Sequence, residues 1–262
     1  MSENAPRELT LETRASIADI PKSDWQRLAG VSNPFLRYEF FQALEESGCT
    51  RTETGWTPSH LVFKHEGRIA GLAPAYLKTH SMGEYVFDWA WADAYQRYGL
   101  PYYPKLLLAI PFTPSAGPRL LLDAEVRRQL TPERLHDLLD TLTHHLGAHS
   151  WHLLFPNAED QKLLAHDDEL HRIGCQFHWH NHNYRSFEDY LAALNSRKRK
   201  SIRKERRHVA EQGITFARFH GKDIPDQVLA AFYVFYQATY LKRGQRPYLN
   251  KRFFELLRER LP

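Results

Sequence analysis

Residues 84–105 combine aromatic rings with carboxylates in a way that could bind a polar ligand. The segment reads EYVFDWAWADAYQRYGLPYYPK and has no clean strand or helix period. Ligand pockets join an apolar wall to a few polar groups, so rings can stack on a sugar or peptide while carboxylates accept hydrogen bonds from hydroxyl or amine groups. The same residues could instead form a packed aromatic core with exposed carboxylates. The candidate substrate-binding residues are Asp88, Trp89, Trp91, Asp93, Tyr95, Tyr103 and Lys105.

The chemistry that such a segment could support is acyl transfer to an amine. This reaction needs a deprotonated amine and a stabilised oxyanion, and it requires no covalent nucleophile. A carboxylate or tyrosine near the acceptor, with backbone amides near the donor, would suffice. The sequence has no GxSxG motif and no convincing Ser/His/Asp set, which argues against a hydrolase. We assign no individual catalytic residue.

Residues 195–211 (NSRKRKSIRKERRHVAE) concentrate positive charge. Eight Lys or Arg stand against two Glu in this run, a net charge of +6, whereas the whole chain has a net charge of +4. The run predicts a polar helix that is either a solvated face or a binding surface for RNA phosphates, an acidic partner or anionic lipid headgroups. The candidate polyanion-binding residues are Arg197, Lys198, Arg199, Lys200, Arg203, Lys204, Arg206 and Arg207.

Histidine and cysteine patterns do not predict a metal site. His178, His180 and His182 alternate along a predicted strand and would share one face. Because the chain has fifteen histidines, we interpret this triplet as a polar strand face or pocket lining. The two cysteines, Cys49 and Cys175, are far apart and form no CxxC motif, so neither a disulfide framework nor a cysteine zinc site is indicated.

The length and composition indicate an ordinary globular chain. A chain of 262 residues with 42% hydrophobic and 25% charged residues can form one large core or two modest ones, and we expect two domains. The first ten residues lack the basic start and apolar run of a secretory signal. The apolar stretch at residues 106–110 is too short to cross a bilayer. We therefore expect a cytoplasmic protein.

Alternating strand and helix signals position these candidate residues. Thr131, followed by Pro132 and leucines at helical spacing, predicts a helix that ends at Gly147. Glu66-Gly67 predicts the turn of a hairpin. The predicted strands are 9–17, 60–63, 69–77, 106–110, 119–122, 151–155, 175–181 and 214–219. The predicted helices are 33–48, 131–147, 158–173, 187–194, 196–211, 225–243 and 250–260.

Several stretches of the sequence resemble the FemAB-like family of the GNAT acyltransferase superfamily. They are NPFLRYEFFQALEESG, ETGWTPSHLVF, YLKTHSMGEYVFDWAWADAYQRYG, YYPKLLLAIPFTPSAGPRL and SFEDYLAALNSRKRKSIRKERR. The resemblance spans essentially the whole chain. It implies an α/β fold with a mixed sheet, in a tandem GNAT-like arrangement. Residues 1–183 would form a first domain that binds the acceptor or is vestigial, and residues 184–262 the opening of a second, incomplete domain.

The resemblance also implies a function linked to peptidoglycan. We expect an N-acyltransferase or aminoacyltransferase acting on an amine of a cell-wall-related or other small acceptor. The donor would be acyl-CoA or aminoacyl-tRNA, with tRNA at the basic helix. Residues 113–131 lack a glycine-rich basic run, so we expect no coenzyme A at the first domain. The alternative is a non-catalytic module that recognises a peptidoglycan precursor or RNA. The oligomeric state stays open.

Overall fold

The structure is a computed structural model that describes residues 9–167 and 169–261. The chain divides into two compact units. The core unit comprises the chain up to His171 together with the chain from Gly221 onward, and the inserted unit comprises Arg172–His220. The boundary expected between residues 183 and 184 falls inside the inserted unit, and the two-domain division at that point stays a prediction.

The core unit mixes strands and helices, consistent with the α/β class predicted from the sequence. Its strands are β1 (Leu9–Arg14), β2 (Trp56–Pro58), β3 (His60–His65), β4 (Arg68–Ala73), β5 (Ala75–Lys78), β6 (Lys105–Leu108), β7 (Leu121–Leu122) and β8 (Trp151–Leu153). Its helices are α1 (Lys22–Ala29), α2 (Tyr38–Glu46), α3 (Trp89–Arg97), α4 (Ala124–Gln129), α5 (Pro132–His145), α6 (Ala158–Leu164), α9 (Asp226–Leu241) and α10 (Lys251–Arg260). The inserted unit contains α7 (Phe187–Ala192) and α8 (Ser196–Glu211).

Two four-stranded sheets form the β part of the core unit. The first has the order β1-β3-β4-β7 and is antiparallel throughout. The second has the order β2-β5-β6-β8, in which β6 and β8 are parallel and are connected through β7, α4 and α5. The predicted strand 69–77 is therefore two strands in different sheets. The break falls at Pro74, which has no N–H to donate to a ladder.

The core-unit elements follow from local signals in the sequence. Thr131 caps α5 by accepting a hydrogen bond from the backbone N–H of Arg134, and Leu135, Leu139 and Leu142 of this helix are buried. The hairpin between β3 and β4 is confirmed, and its turn residues Glu66 and Gly67 have φ values of 52° and 76°. The N-cap and the row of buried leucines thus determine helix α5, and the turn residues determine the β3–β4 hairpin.

Helices α2 and α10 join distant parts of the chain in one hydrophobic cluster. The Phe40 and Phe253 rings lie 5.7 Å apart, edge to face. Leu256 of α10 is fully buried in the same cluster. The side-chain amide of Asn250, which caps α10, donates to the backbone carbonyl of Ser47 at 2.6 Å. The end of the described chain therefore packs against its first third.

Some predicted elements are wrong. Residues 175–181 and 214–219 are not strands but exposed, irregular segments, because the inserted unit offers no neighbouring strand for a ladder. The predicted helix 158–173 ends at Leu164, whose carbonyl accepts from His136 Nε2 at 2.8 Å rather than from a helical N–H. Helices α1, α3 and α4 are absent from the sequence prediction.

Among the described residues, none of the helices has the length and apolar character needed to traverse a lipid bilayer. The longest ones, α8 and α9, have sixteen residues each.

Candidate functional site

A buried ion cluster lies where β5 ends and β6 begins, beside the segment that leads into α3. Lys105 starts β6 and is fully buried. Its Nζ lies 2.6 Å from Asp88 Oδ2, 2.8 Å from Glu84 Oε2 and 3.0 Å from Ser81 Oγ. Burying such charges is costly unless they are paired, so each charge here depends on the others.

Two tyrosine hydroxyls complete the cluster. Tyr102 donates its hydroxyl hydrogen to Asp88 Oδ2 at 2.6 Å. The Tyr103 hydroxyl lies 2.6 Å from Ser81 Oγ, which also accepts from Lys105. We use the name ion cluster for Ser81, Glu84, Asp88, Tyr102, Tyr103 and Lys105. Three side chains, Lys105, Tyr102 and Tyr103, thus converge on Asp88 and Ser81.

Two carboxylate oxygens of the ion cluster are buried without a hydrogen-bond partner among the described residues. They are Glu84 Oε1 and Asp88 Oδ1. An unsatisfied buried acceptor costs about 1–3 kcal/mol, so such atoms are uncommon in a purely structural ion pair. Both oxygens are candidates to accept hydrogen bonds from a ligand.

Burial and pairing shift the pKa values of the two carboxyl groups in opposite directions. Burial raises the pKa of Glu84, and the attraction to Lys105 only partly opposes it. Burial also acts to raise the pKa of Asp88. There, the hydrogen bonds from Lys105, Ser81 and Tyr102 outweigh burial and lower the pKa to about 2. Two carboxyl groups near one lysine therefore differ in proton affinity, which is common in acid-base sites.

Lys78, which is buried, and His152, which is half-buried, flank the ion cluster as basic groups. Lys78 pairs with Lys105 across β5 and β6, and its Nζ lies 3.8 Å from the Trp56 ring centroid. Burial lowers the pKa of Lys78 to about 7, against an opposing attraction to Glu84. Burial, with the nearby Lys105 charge, lowers the pKa of His152 to about 4. A lysine with a pKa near neutrality can accept a proton at physiological pH.

A turn in the left-handed backbone region holds the acidic residues in place. Gly83, Tyr85 and Phe87 have φ values of 81°, 62° and 55°. A Cβ at position 83 would lie 2.7 Å from the Phe112 ring, so only glycine fits there. Non-glycine residues with such φ values cost of order 1–3 kcal/mol each and cluster at functional sites. The turn places Glu84 and Asp88 on the same side, toward Lys105.

Helix α3 presents aromatic side chains to solvent next to the ion cluster. Trp91 and Tyr95 are 50% and 37% exposed, and with Tyr98 they follow the i, i+4, i+7 spacing of one helix face. The Tyr95 ring lies 5.2 Å from the Tyr102 ring, whose hydroxyl binds Asp88. We use the name aromatic face for Trp91, Tyr95 and Tyr98. It is linked to the ion cluster by direct contact.

The structure divides the seven predicted substrate-binding residues into two groups. Asp88 and Lys105 are buried and paired, and Tyr103 joins them through Ser81. Trp89, Trp91, Asp93 and Tyr95 lie exposed on α3. Their role in binding an acceptor stays a prediction, but the first group and the second are in contact through Tyr102.

Sequence reasoning missed five residues of the site and its flanks. They are Lys78, Ser81, Glu84, Tyr102 and His152. Lys78 and His152 belong to strands, and their proximity to Lys105 follows from strand register, which no local pattern encodes. The sequence offers one signal for Glu84. It follows Gly83 directly, and a glycine turn can direct the next side chain either toward the interior or toward solvent.

The predicted polyanion-binding residues all lie on α8, whose bounds match the predicted helix. Their role also stays a prediction. His178, His180 and His182 lie in an irregular, exposed segment. Within residues 9–167 and 169–261, no group of three or more His, Cys, Asp or Glu side chains is arranged to hold a metal ion. Cys49 is buried and Cys175 is exposed.

The fold and site define an α/β protein with a buried lysine-carboxylate cluster beside an exposed aromatic helix. A family model described as peptidoglycan biosynthesis/recognition matches residues 16–262. The chain therefore belongs to the FemAB_like family, and the resemblance seen in the sequence is confirmed. No curated protein and no solved structure matches the chain.

Proposed function

We propose that this protein is an N-acyltransferase or aminoacyltransferase-type protein that binds an amine-bearing, peptidoglycan-related acceptor at the ion cluster and the aromatic face. Glu84 Oε1 and Asp88 Oδ1, the two buried oxygens without partners, carry the proposal. They belong to the ion cluster, which contacts the aromatic face through Tyr102 and Tyr95, in a member of a family of peptidoglycan biosynthesis or recognition. A cytoplasmic location and a GNAT-like tandem organisation are part of the same proposal.

A primary ammonium group suits these two oxygens. It offers three N–H donors, and charged donors give the strongest hydrogen bonds to carboxylates. Glu84 and Asp88 supply two negative charges against Lys105, and Lys78, with a pKa of about 7, is only partly protonated near neutral pH. One further cation would therefore balance the charge of the site. Glu84, with its raised pKa, or neutral Lys78 could then take the proton that the amine must lose before it attacks an acyl group.

The aromatic face suits the remainder of such an acceptor. Trp91 and Tyr95 expose flat rings on which sugar or peptide groups can stack, while their polar edges remain hydrated. Trp89 and Asp93 flank this face on α3. An acceptor of this kind would be held by its body on α3 and by its amine at the ion cluster.

The residues after β6 do not fit a coenzyme A cradle, so we derive no step through that group. A phosphate cradle needs several free backbone N–H groups. The Ser115 N–H donates to the Thr113 carbonyl, and the Gly117 N–H donates to the Phe155 carbonyl. The Arg119 guanidinium donates to the Ser115 and Pro118 carbonyls rather than pointing into an open loop. These contacts support a donor, acyl-CoA or aminoacyl-tRNA, held outside this loop.

Calorimetric titration with muropeptides tests the proposal. We expect the chain to bind a muropeptide with a free amine and to bind the same compound with its amine acetylated at least about tenfold more weakly, because a charge-assisted hydrogen bond contributes about 1.5–3 kcal/mol. Glu84→Gln should remove most of this difference. Trp91→Ala should weaken both compounds equally, whereas Phe216→Ala, an exposed aromatic of the inserted unit, should change neither.

Two outcomes would contradict the proposal. Equal binding of the free and acetylated compounds would remove the ion cluster as the amine site. Binding of neither compound would remove the acceptor class altogether. Binding without any amide product from either donor would favour the alternative, a non-catalytic module that recognises a peptidoglycan precursor.

A further inference from the structure

Four tyrosines meet at the turn formed by residues 83–88, which carries both carboxylates of the ion cluster. Tyr85 belongs to this turn, Tyr236 and Tyr240 lie on α9, and Tyr248 follows α9 in the sequence. The Tyr85 and Tyr240 hydroxyls lie 3.4 Å apart. The Tyr248 ring lies edge to face with both, 6.4 Å from the Tyr85 ring and 5.6 Å from the Tyr240 ring. We use the name tyrosine layer for these four residues.

The tyrosine layer is itself anchored within the core unit. The Tyr236 hydroxyl accepts a hydrogen bond from the Leu249 backbone N–H at 3.3 Å and donates one to the Tyr240 hydroxyl at 3.5 Å. The Tyr236 ring lies 5.2 Å from the Phe254 ring of α10, edge to face. Leu249 and Phe254 pack against the hydrophobic cluster that joins α2 and α10. The layer therefore rests on a packed part of the core.

The tyrosine layer contacts the turn at two residues with left-handed backbone. Tyr85 has a φ of 62° and reaches Tyr240 through its own hydroxyl. Gly83 has a φ of 81°, and its backbone forms a hydrogen bond with the Tyr248 hydroxyl. Tyr248 also stacks at 5.2 Å on Phe112, the ring that a Cβ at position 83 would strike. A strained backbone persists only where its surroundings hold it, and the layer supplies part of that support.

Lys105 holds only one oxygen of each carboxylate in the turn. It binds Glu84 Oε2 and Asp88 Oδ2, whereas Glu84 Oε1 and Asp88 Oδ1 are without a partner among the described residues. These last two oxygens are the ones that we assign to an acceptor amine, so their positions depend on the backbone of the turn. Tyr85 stands between the two acidic residues in the sequence, and its contact with Tyr240 restrains that backbone.

The hydroxyls of the tyrosine layer stay protonated at physiological pH. Burial raises the pKa of Tyr85 and of Tyr236, and it raises the pKa of Tyr240 to about 12. Burial also raises the pKa of Tyr248, and the hydrogen bond with the backbone of the turn only partly opposes this. The layer thus adds no charge beside the two carboxylates. Its effect on them is one of position.

We propose that Tyr240 and Tyr248 are positioning residues of the acceptor site, which hold Glu84 and Asp88 in the geometry that an amine requires. Binding groups must stay within about 0.5 Å of their productive positions, and supporting contacts from rigid elements keep them there. The inference rests on the proposed function, because it assigns the support of the same site. A role in packing alone would need only the rings, and phenylalanine would serve equally well.

Calorimetric titration of single-hydroxyl variants tests the proposal on the full chain. Tyr240→Phe and Tyr248→Phe keep the rings and lose the hydroxyl contacts with the turn. We expect each variant to bind a free-amine muropeptide roughly three- to tenfold more weakly, the effect of about one hydrogen bond, and to bind the acetylated compound as before. Tyr233→Phe is the matched control on α9. The Tyr233 ring contacts Tyr236 and Phe254, and its substitution should change neither affinity.

Carbon-13 NMR of the Glu84 side-chain carboxyl gives a second measurement that needs no acceptor. Burial raises the pKa of Glu84, so a loosened turn should expose the carboxyl and move its titration midpoint down by about 0.5–1 pH unit. Glu84→Gln assigns the signal.

Three outcomes would overturn the positioning role. They are an unchanged Glu84 midpoint in both variants, an equal shift in Tyr233→Phe, and equal weakening of the free and acetylated compounds. A shifted midpoint in a chain that binds neither muropeptide would support the positioning of the turn and contradict the proposed function instead.

Discussion

The ion cluster and α8 both concentrate charge, but they use it in opposite ways. In the ion cluster, Lys105 and its two carboxylate partners are buried and bound to one another at 2.6–2.8 Å. On α8, Arg197, Lys200, Lys204 and Arg207 are exposed and form no hydrogen bond or ion pair with another described side chain. The sequence marks α8 far more strongly, since its run of residues has a net charge of +6. The number of charges in a segment therefore says little about how strongly they are coupled to the fold.

This difference separates two kinds of measurement. Buried charges are weakly screened by salt and strongly coupled to folding, whereas exposed charges respond to salt and contribute little to stability. Substitutions in the ion cluster should therefore change the free energy of unfolding. Substitutions on the outer face of α8 should change binding to polyanions and leave unfolding almost unaffected.

Lys105→Met should have the largest effect on stability. Removing the lysine leaves the Glu84 and Asp88 carboxylates buried without their cation, which should lower the free energy of unfolding by about 3–5 kcal/mol. Urea unfolding followed by circular dichroism measures this. Lys200→Met on α8 is the matched control and should stay within about 0.5 kcal/mol of the original chain. Equal effects of the two substitutions would contradict the contrast between the two regions.

Lys78→Met should alter how stability depends on pH. Unfolded Lys78 has a pKa near 10.5 and folded Lys78 a pKa of about 7, so between these values the unfolded chain binds more protons and folding becomes more favourable as pH rises. Unfolding measured from pH 7 to 9 should show this rise, at up to about 1.4 kcal/mol per pH unit. The substitution should flatten it, whereas Lys162→Met, an exposed lysine on α6, should not. An unchanged slope in Lys78→Met would show that Lys78 is charged in the folded protein.

Glu188→Gln should have the smallest effect. It breaks the ion pair with Arg203, whose side chains are 66% and 49% exposed, and such pairs contribute about 0–1 kcal/mol. Urea unfolding at low and high salt measures the difference, which should vanish at high salt because exposed charges are screened. A loss above about 2 kcal/mol that persists in salt would mean that the Glu188–Arg203 pair is coupled to folding as strongly as the ion cluster.

Local signals predicted much of the fold. The cap and leucine stripe of α5, the hairpin turn and the full extent of α8 depend on neighbours in sequence, and all three are confirmed. Helix α3 was missed because the aromatic face, formed by Trp91 and Tyr95 of the helix and by Tyr98 just after it, is exposed. In most surface helices the apolar side chains face the core instead. The strand signal of residues 175–181 is genuine as a local pattern. These residues do not form a strand, because a strand also needs a neighbouring strand with which to form hydrogen bonds.

Only part of the candidate site could be predicted, because the rest depends on how the strands pair. Asp88 and Lys105 stand in one recognisable segment, and the structure pairs them. Lys78 and His152 come close only because β5, β6 and β8 pair in one register, which is a property of the assembled sheet. Likewise, the sequence does not show which α8 cations contact α7, because this depends on where α7 packs.

The packing of α10 against α2 also constrains how the chain is made. Asn250 binds the carbonyl of Ser47 across 203 sequence positions, and Phe253 closes over Phe40. A ribosome adds about 5–20 residues per second, so α2 is synthesised roughly ten to forty seconds before α10, the helix that covers it. During that interval an apolar surface of the nascent chain stays open to water. The surface of α2 that α10 covers is therefore among the last parts of this hydrophobic cluster to be buried.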